Sequence, residues 1–230
     1  MPKYTDLSGP MYPGMWSYSA LPDLGARVPE LAVDQVATIE RQGYDSFRYE
    51  MGSNTATYLE TGRHMLAEGP LIDEIPLASF FRPAVVCHVP RKGPTELIHG
   101  DELAAHCPPV REGDALLIEC GWGSQWTAAH FVTAGPNFHL DCLPWLLAQP
   151  FSILGVDVPV IESARSRPSG SESAGNMLIP MFKRGVLLLA PLVNLDQVTA
   201  DRGELIALPL RIQGVCGTPC RAIFMEQQEI

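Results

Sequence analysis

Short apolar runs that end at proline, glycine or charged residues mark strands at several points of the chain. Residues Ala84 to Val89 form a β-branched run that stops at Pro90, which predicts a buried strand. The segments Val186 to Leu189 and Glu204 to Ile212 predict two further sheet strands. The chain is therefore predicted to consist of strands that alternate with one or two helices.

Two segments carry signals for short helices. Leu140 to Gln149 predicts a helix that leads into a strand at Ile153 to Val156, and this order of helix and strand is typical of α/β packing. Residues Ile98 to Leu103 begin a second helix, with Asp101 as its expected cap and Pro108-Pro109 as its stop. Helices are thus expected to flank a sheet.

Two other segments are less regular. The apolar positions of Glu30 to Gly43 are closer to a short helix or mixed turn than to a strand alternation. Residues 163 to 175 are rich in serine, glycine and arginine, which predicts a polar and mobile loop. Neither segment suggests a domain boundary.

Length and composition agree with one α/β domain over residues 1–230. Hydrophobic residues make up 46% of the chain, yet no run approaches the roughly 18 apolar residues of a membrane span. The N-terminus lacks a charged region followed by an apolar one, so no secretion signal is recognised. These features predict a cytoplasmic protein.

Charge and cysteine usage exclude several classes of partner. The formal net charge is -10 with only 16 lysines and arginines, so the surface is expected to repel nucleic acids and anionic membranes. Six cysteines are dispersed along a chain too large to need disulfides, which predicts free thiols. Cys216 and Cys220 lie close in sequence, but a zinc site would need two further ligands that no nearby motif supplies.

One segment carries a recognisable motif. Asn54 to His64 reads Asn-Thr-Ala-Thr-Tyr-Leu-Glu-Thr-Gly-Arg-His. It resembles the segment His-x-Gly-Thr-His-x-Asp-x-Pro-x-His of the cyclase family, which includes kynurenine formamidase and isatin hydrolase. In that family the two early histidines and the aspartate hold a divalent cation, and the last histidine transfers protons. Here Asn54, Tyr58 and Glu60 stand at the ligand positions, and His64 matches the last histidine.

Further landmarks of the family occur in the same order and cover nearly the whole chain. They are Asp6-Leu7-Ser8, Tyr12-Pro13-Gly14, Leu71 to Leu77, Gly113 to Ile118, Gly121-Trp122, Pro144 to Leu147, Leu154 to Pro159, Asn194 to Asp196, Leu208 to Ile212 and Gly217 to Ala222. The resemblance implies an α/β fold with a mixed, barrel-like β-sheet core and flanking helices. It also implies a homodimer or larger homo-oligomer whose subunits help to close each other's sites.

The altered motif argues against the family's metal. Asn54 is a weak neutral ligand, and Tyr58 binds well only as a phenolate, which is costly near neutral pH. The family's later ligand positions fall on Asn176 or Leu178 and on Ala190. We therefore expect no metal cofactor, and zinc or manganese only if a site has been rebuilt around Glu60.

The remaining side chains suit proton transfer. Glu60 and His64 are four residues apart, and a carboxylate close to an imidazole orients it and raises its pKa. The hypothesis is that His64 acts as acid or base, Glu60 orients it, and Tyr58 with Asn54 binds a substrate oxygen. The alternative is that these groups satisfy one another in a filled former pocket. An open cavity favours the first reading, and one plugged by Tyr58, Met51 or Leu178 favours the second.

Tryptophans are the expected walls of a substrate pocket. Trp16 follows the Pro-Gly loop, and Trp122 follows the predicted strand near residue 118. Aromatic walls with a few polar groups suit a flat or apolar ligand. Core packing accounts equally well for Trp122.

The resemblance implies an enzyme that acts on small, often aromatic or cyclic molecules. Characterised members hydrolyse amide or lactam bonds, and others are associated with ring closure in natural-product pathways. Because a metal normally activates the water for hydrolysis, its loss favours cyclisation or isomerisation by acid-base groups. The alternatives are a hydrolase with a rebuilt metal site, and a non-catalytic ligand-binding or scaffold relative.

Overall fold

A computed structural model describes residues 2–22, 24, 27–166 and 177–226. The strands are β1 Lys3–Asp6, β2 Ala32–Ala37, β3 Ser46–Glu50, β4 Tyr58–Glu60, β5 Phe81–His88, β6 Leu97–Ile98, β7 Ala115–Glu119, β8 Asn137–Phe138, β9 Ile153–Val156, β10 Leu187–Ala190, β11 Arg202–Pro209 and β12 Gly217–Glu226. The α-helices are α1 Ile39–Gln42, α2 Gly100–His106, α3 Cys142–Ala148 and α4 Leu178–Lys183.

Seven strands close into a mixed barrel in the order β4, β12, β11, β5, β7, β9, β10 and back to β4. The pairs β5–β7, β7–β9 and β9–β10 are parallel, and the other pairs of the ring are antiparallel. One edge of the long strand β12 pairs with β4 at its start and with β1 at its end. The predicted mixed, barrel-like α/β fold is confirmed.

Two groups of buried side chains lie on opposite faces of this sheet. Leu59, Leu117 and Leu205 belong to a group that draws on all seven strands of the ring, so it fills the barrel interior. The second group joins the alternate residues of the parallel strands, such as Leu116 and Leu154, to the helices. Because successive side chains of a strand face opposite ways, each central strand is buried on both faces.

Most of the predicted elements are confirmed. Residues Ala84 to His88 of the first run lie in β5, Leu187 to Leu189 of the second lie in β10, and Glu204 to Pro209 of the third lie in β11. The helix predicted from Leu140 is α3, and it precedes β9 as expected. No helix among the described residues is long and apolar enough to cross a membrane.

Three predictions of local structure need comment. The segment Glu30 to Gly43 is chiefly a strand and not a helix or turn, because β2 pairs with β3 in a separate two-stranded ribbon and α1 is only one turn. The cap of α2 is His99 and not Asp101, since Glu102 accepts the peptide N–H of His99 at 2.8 Å and so fixes the cap two residues earlier. Of the predicted loop at 163 to 175, residues 167–175 lie outside the described residues.

Candidate active site

The candidate site begins at β4, whose side chains alternate between the two faces of the barrel wall. Leu59 belongs to the interior group, whereas Tyr58 packs in the outer group, so Glu60 also points outward. All three residues are buried. Because β4 pairs with β10 on one edge and β12 on the other, two predicted catalytic residues share one face of a fully paired strand.

Glu60 is the centre of a small polar group. Glu60 is only 1% exposed, and its Oε2 accepts a hydrogen bond from Nδ2 of Asn54 at 2.8 Å. After β4, the side chain of Thr61 accepts the N–H of Arg63 and starts a short 3-10 helix that ends at His64. This turn brings Nδ1 of His64 to 3.6 Å from Oε2 of Glu60, a contact rather than a hydrogen bond.

The pKa values of this pair move in opposite directions. Burial raises the pKa of Glu60 to about 7, against the opposing effect of the Asn54 hydrogen bond. Burial lowers the pKa of His64. The expectation that Glu60 would raise the pKa of His64 is wrong, because desolvation dominates at a distance of 3.6 Å. Near neutral pH His64 therefore favours its neutral form, whereas Glu60 is divided between its protonated and ionised forms.

Tyr58 is a buried neutral phenol. Burial raises its pKa well above the ordinary value, and the neighbouring Tyr18 and Glu60 add to the rise. The rings of Tyr58 and Tyr18 meet edge to face with centroids 6.4 Å apart, and the hydroxyl of Tyr18 donates to the carbonyl oxygen of Pro159 at 2.6 Å. Sequence reasoning missed Tyr18, although its place two residues after Trp16 was an available signal.

An open cavity of about 290 Å3 adjoins these groups. Predicted site residues His64, Tyr58 and Asn54 line it. Its described walls are completed by Tyr18, Leu24, Arg27, Val28, Pro29, Gly52 and Ser53. Neither Met51 nor Leu178 is among these described walls. Tyr58 forms part of the wall but leaves the cavity open.

The two tryptophans lie in different surroundings. Trp16 packs against Trp126 and Phe131 with ring centroids 5.0 and 4.9 Å apart, and it lines a narrow cavity that shares Asn54 and Tyr18 with the larger one. Its buried indole N–H has no hydrogen-bond partner within the described part of the chain. Trp122 is 2% exposed and donates to the carbonyl oxygen of Phe131 at 3.0 Å, so it is a core residue away from the described cavity walls.

Residues from the second half of the chain complete the surroundings of β4. Ala190 pairs directly with Tyr58 across β10 and β4, and it offers only a methyl group there. Leu178 opens α4, while Asn176 lies outside the described residues. Cys216 is the nearby cysteine. Burial raises the pKa of its thiol, and Glu60 adds to the rise.

One group of three metal-ligating side chains is found in the described ranges, and it shares no residue with this cavity. It consists of His99, His139 and Asp141, which could bind a metal ion. The sequence analysis missed it, because His99 and His139 are 40 positions apart. A signal was available, because each histidine directly follows the apolar last residue of a short strand. These residues are Ile98 of β6 and Phe138 of β8.

Comparison with known proteins places the chain among enzymes of one family. Kynurenine formamidase of Bordetella petrii is 25% identical over 229 residues, which cover 95% of this chain and 93% of the relative. Isatin hydrolase A from Ralstonia solanacearum superposes with a TM-score of 0.85 at 22% identity, covering 98% of this chain and 92% of that one. A predicted metal-dependent hydrolase from Bacillus stearothermophilus superposes with a TM-score of 0.76 at 22% identity, covering 99% and 100%.

The structural likenesses confirm the fold. The family model described as "Putative cyclase" matches residues 5–163, which is more than half of the chain and includes the altered motif and most of the landmarks that precede it and follow it. The chain therefore belongs to the cyclase family of enzymes.

Proposed function

We propose that this chain is a small-molecule enzyme that opens or closes a cyclic amide or ester by acid-base chemistry at His64, without a metal ion at that site. The observation that carries the proposal is the opposed pKa shifts of Glu60 and His64 beside an open cavity. Pairs of titratable groups with pKa values moved by their surroundings are typical of catalytic acids and bases.

The donor set at β4 does not fit a zinc or manganese ion. Such an ion takes several imidazole or carboxylate ligands, whereas this group offers one imidazole and one carboxyl group that is half protonated near pH 7. The pKa values of Tyr58 and Cys216 are raised, so an ion would have to displace a proton from each group in order to bind it. Ala190, opposite Tyr58, has no donor atom. These features support a metal-independent reaction.

The positions of the groups suggest their roles. His64 lines the cavity and turns Nδ1 towards Glu60, which leaves Nε2 as the ring nitrogen for a substrate. As a neutral imidazole it can take a proton from an attacking hydroxyl, amine or water and return it to the leaving group. Glu60 lies behind His64 as a positioning group and proton reservoir. Tyr58 and Asn54, both on the cavity wall, can hold the carbonyl oxygen.

The cavity supports a small, flat substrate. A volume of about 290 Å3 lies at the lower end of the range for small-molecule sites. Its aromatic and aliphatic walls include Tyr18, Leu24 and Val28. The adjoining narrow cavity beside Trp16 has a volume of only about 10 Å3, so it adds no room for the substrate. A cyclic or aromatic molecule with a carbonyl group fits this combination.

Hydrolysis is the second candidate reaction. It is supported by the names of the relatives, a kynurenine formamidase and an isatin hydrolase. With His64 as the base, water would take the place of the substrate's own nucleophile. Ring closure and hydrolysis therefore need the same residues and differ in which nucleophile attacks.

Substitution of His64 tests the proposal. His64→Gln is expected to lower kcat/KM by at least about a hundredfold, the usual contribution of a positioned acid or base. Turnover is measured on a panel of cyclic amides, lactones and their ring-opened acids that includes isatin. His106→Gln is the matched control, because His106 lies at the exposed end of α2. Equal turnover by the His64→Gln variant and the wild type would refute the role of His64.

A chelator distinguishes the two mechanisms. Activity is expected to survive dialysis against a strong chelator, since the β4 donor set does not supply a metal site. The measurement is kcat/KM before and after dialysis, with metal content followed by plasma mass spectrometry. Loss of activity that zinc or manganese restores would instead support a metal-dependent hydrolase with a site rebuilt around Glu60.

We further propose that the chain works as a homodimer or larger homo-oligomer through the β2–β3 ribbon. An isolated two-stranded ribbon is only marginally stable in water, and this one exposes large apolar side chains: Val33, Val36, Ile39, Tyr44, Phe47 and Tyr49. Its two ends run into Pro29 and Gly52, which line the cavity. A second copy packed on the ribbon would therefore also border the substrate site.

Removing the apolar surface of the ribbon tests this assembly. Phe47 and Tyr49 lie on one face of β3 and are 47% and 65% exposed. The double variant Phe47→Ser with Tyr49→Ser is expected to sediment as a monomer at about micromolar concentration, where the wild type sediments as a dimer or larger species. Tyr4→Ser is the control, since Tyr4 is 62% exposed on β1. A wild type that is monomeric throughout would contradict the proposal.

Single-domain organisation over residues 1–230 and a cytoplasmic location complete the proposal. The eight-stranded sheet that contains the barrel uses strands from Lys3 to Glu226, which supports one folding unit. All six cysteines are free thiols, as expected in a reducing compartment.

A further inference from the structure

A small parallel sheet places two histidines side by side on the surface, away from β4. In the pair β6–β8, Ile98 lies opposite Phe138, and His99 and His139 are the next residues of the two strands. The N–H of His139 donates to the carbonyl oxygen of Ile98 at 2.8 Å. Because the two strands run in the same direction, both histidines leave the sheet at the same end. Their rings lie 4.7 Å apart at an angle of 37°.

Asp141 joins the two histidines. Its Oδ2 lies 2.8 Å from Nδ1 of His99 and 2.9 Å from Nδ1 of His139. Its Oδ1 accepts the N–H of Gly100 at 3.0 Å. Asp141 therefore bridges the two imidazoles through one carboxylate oxygen.

An ion from solvent can reach this group. His99 and Asp141 border a surface cavity of about 640 Å3, together with Lys92, Gly100, Asp101, Glu102, Pro144 and Trp145. The side chains of His99, His139 and Asp141 are 42%, 20% and 47% exposed. The positive charge of Lys92 is paired with Glu102 at 2.6 Å, so it presents a weaker barrier to a cation.

We propose that His99, His139 and Asp141 bind a divalent transition-metal ion of the zinc or nickel type. Two imidazoles and one carboxylate form a ligand set that such ions prefer. One ligand atom from each side chain lies within 4.8 Å of the other two. Bonds of about 2.0–2.2 Å to a common ion bring ligand atoms to roughly 3–3.6 Å of one another, which small side-chain rotations achieve. The fourth position is left for water or a small anion.

The bound ion acts as a clamp between two helices. His99 immediately precedes α2, and Asp141 immediately precedes α3, so the ion links the starts of both. Ligands that bind only the folded chain stabilise it by mass action. Since none of the three ligands lines the His64 cavity, this site is independent of the proposed acid-base chemistry.

Titration with Ni2+ tests the site in untagged, full-length protein. Isothermal titration is expected to give one equivalent of bound Ni2+, and saturation is expected to raise the melting temperature. His139→Gln should weaken binding at least about tenfold, because removal of groups that only support metal ligands already costs about 10- to 100-fold. His106→Gln is the matched control and should bind as the wild type does. Circular dichroism checks that each variant is folded, and His99→Gln replaces His139→Gln if the latter is not.

Cobalt distinguishes this site from the cysteines. Co2+ bound by imidazole and carboxylate should give weak visible bands without the strong near-ultraviolet thiolate charge-transfer band. The proposal is overturned if the wild type binds no Ni2+ saturably, if both histidine variants bind as tightly as the wild type, or if the bound Co2+ shows the thiolate band.

Discussion

Replacing Asp157 with alanine is expected to lower the free energy of unfolding by about 4 kcal/mol. Asp157 follows β9 and is 2% exposed. Its carboxylate accepts the peptide N–H groups of Cys120, Trp122 and Gly123 at 2.8 to 3.3 Å, and the thiol of Cys120 at 3.2 Å. Alanine leaves three buried N–H groups without an acceptor, at about 1–3 kcal/mol each.

The effect is measured by urea unfolding of the wild type and the variant at one pH. Asp201→Ala is the matched control, because Asp201 is exposed and the same substitution there should change stability by less than about 0.5 kcal/mol. Asp157→Asn keeps one oxygen acceptor and is expected to fall between the two. A loss of stability no larger than that of the control would show that the turn after β7 does not depend on this carboxylate.

The second large effect is a pH-dependent gain in stability from Glu60→Gln. The pKa of Glu60 rises from its ordinary 4.5 to about 7 on folding, so the folded chain holds a proton that the unfolded chain has lost. Wild-type stability therefore falls as pH rises between these values. The full cost of about 3 kcal/mol is present above pH 7 and absent below pH 4.5. Glutamine carries no such proton and removes this cost.

Urea unfolding at pH 5 and pH 8 measures this linkage. The stability of Glu60→Gln relative to the wild type is expected to be about 2.5 kcal/mol greater at pH 8 than at pH 5. Glu112→Gln serves as the control because Glu112 is exposed, and its difference should be nearly the same at both pH values. An equal difference for Glu60→Gln at the two pH values would mean that Glu60 is ionised in the folded protein at pH 5.

Local patterns predicted the elements that are buried on both faces. The run at Ala84 and the run at Val186 are continuous and apolar because β5 and β10 pack against the barrel interior on one side and the helices on the other. The prediction of a short helix or mixed turn at β2 was wrong. Val33 and Val36 are exposed to solvent, so the strand has no buried face that would give it a regular alternation of apolar and polar residues. Its strand form depends on pairing with β3.

The sequence already named three residues of the candidate site that line the cavity, Asn54, Tyr58 and His64, but it did not show their surroundings. The family frame placed Tyr58 and Glu60 two positions apart, and alternation puts them on one face. Whether they faced an open cavity depended on Tyr18 and Val28, which belong to a distant segment. Trp122 was predicted to line the cavity but lies in the core. Its position after a landmark strand gave no sign that its indole N–H donates to the carbonyl oxygen of Phe131.

What the sequence by itself determined is the family and several of the barrel-forming strands, such as β5, β9, β10 and β11, because these follow from residue order and from short apolar runs. The tertiary structure alone decided the electrostatics. Burial lowers the pKa of His64 and raises that of Glu60, and desolvation depends on which distant segments cover a side chain. It also brought His99 and His139 together on Asp141, since strand register and not sequence spacing sets the distance between them.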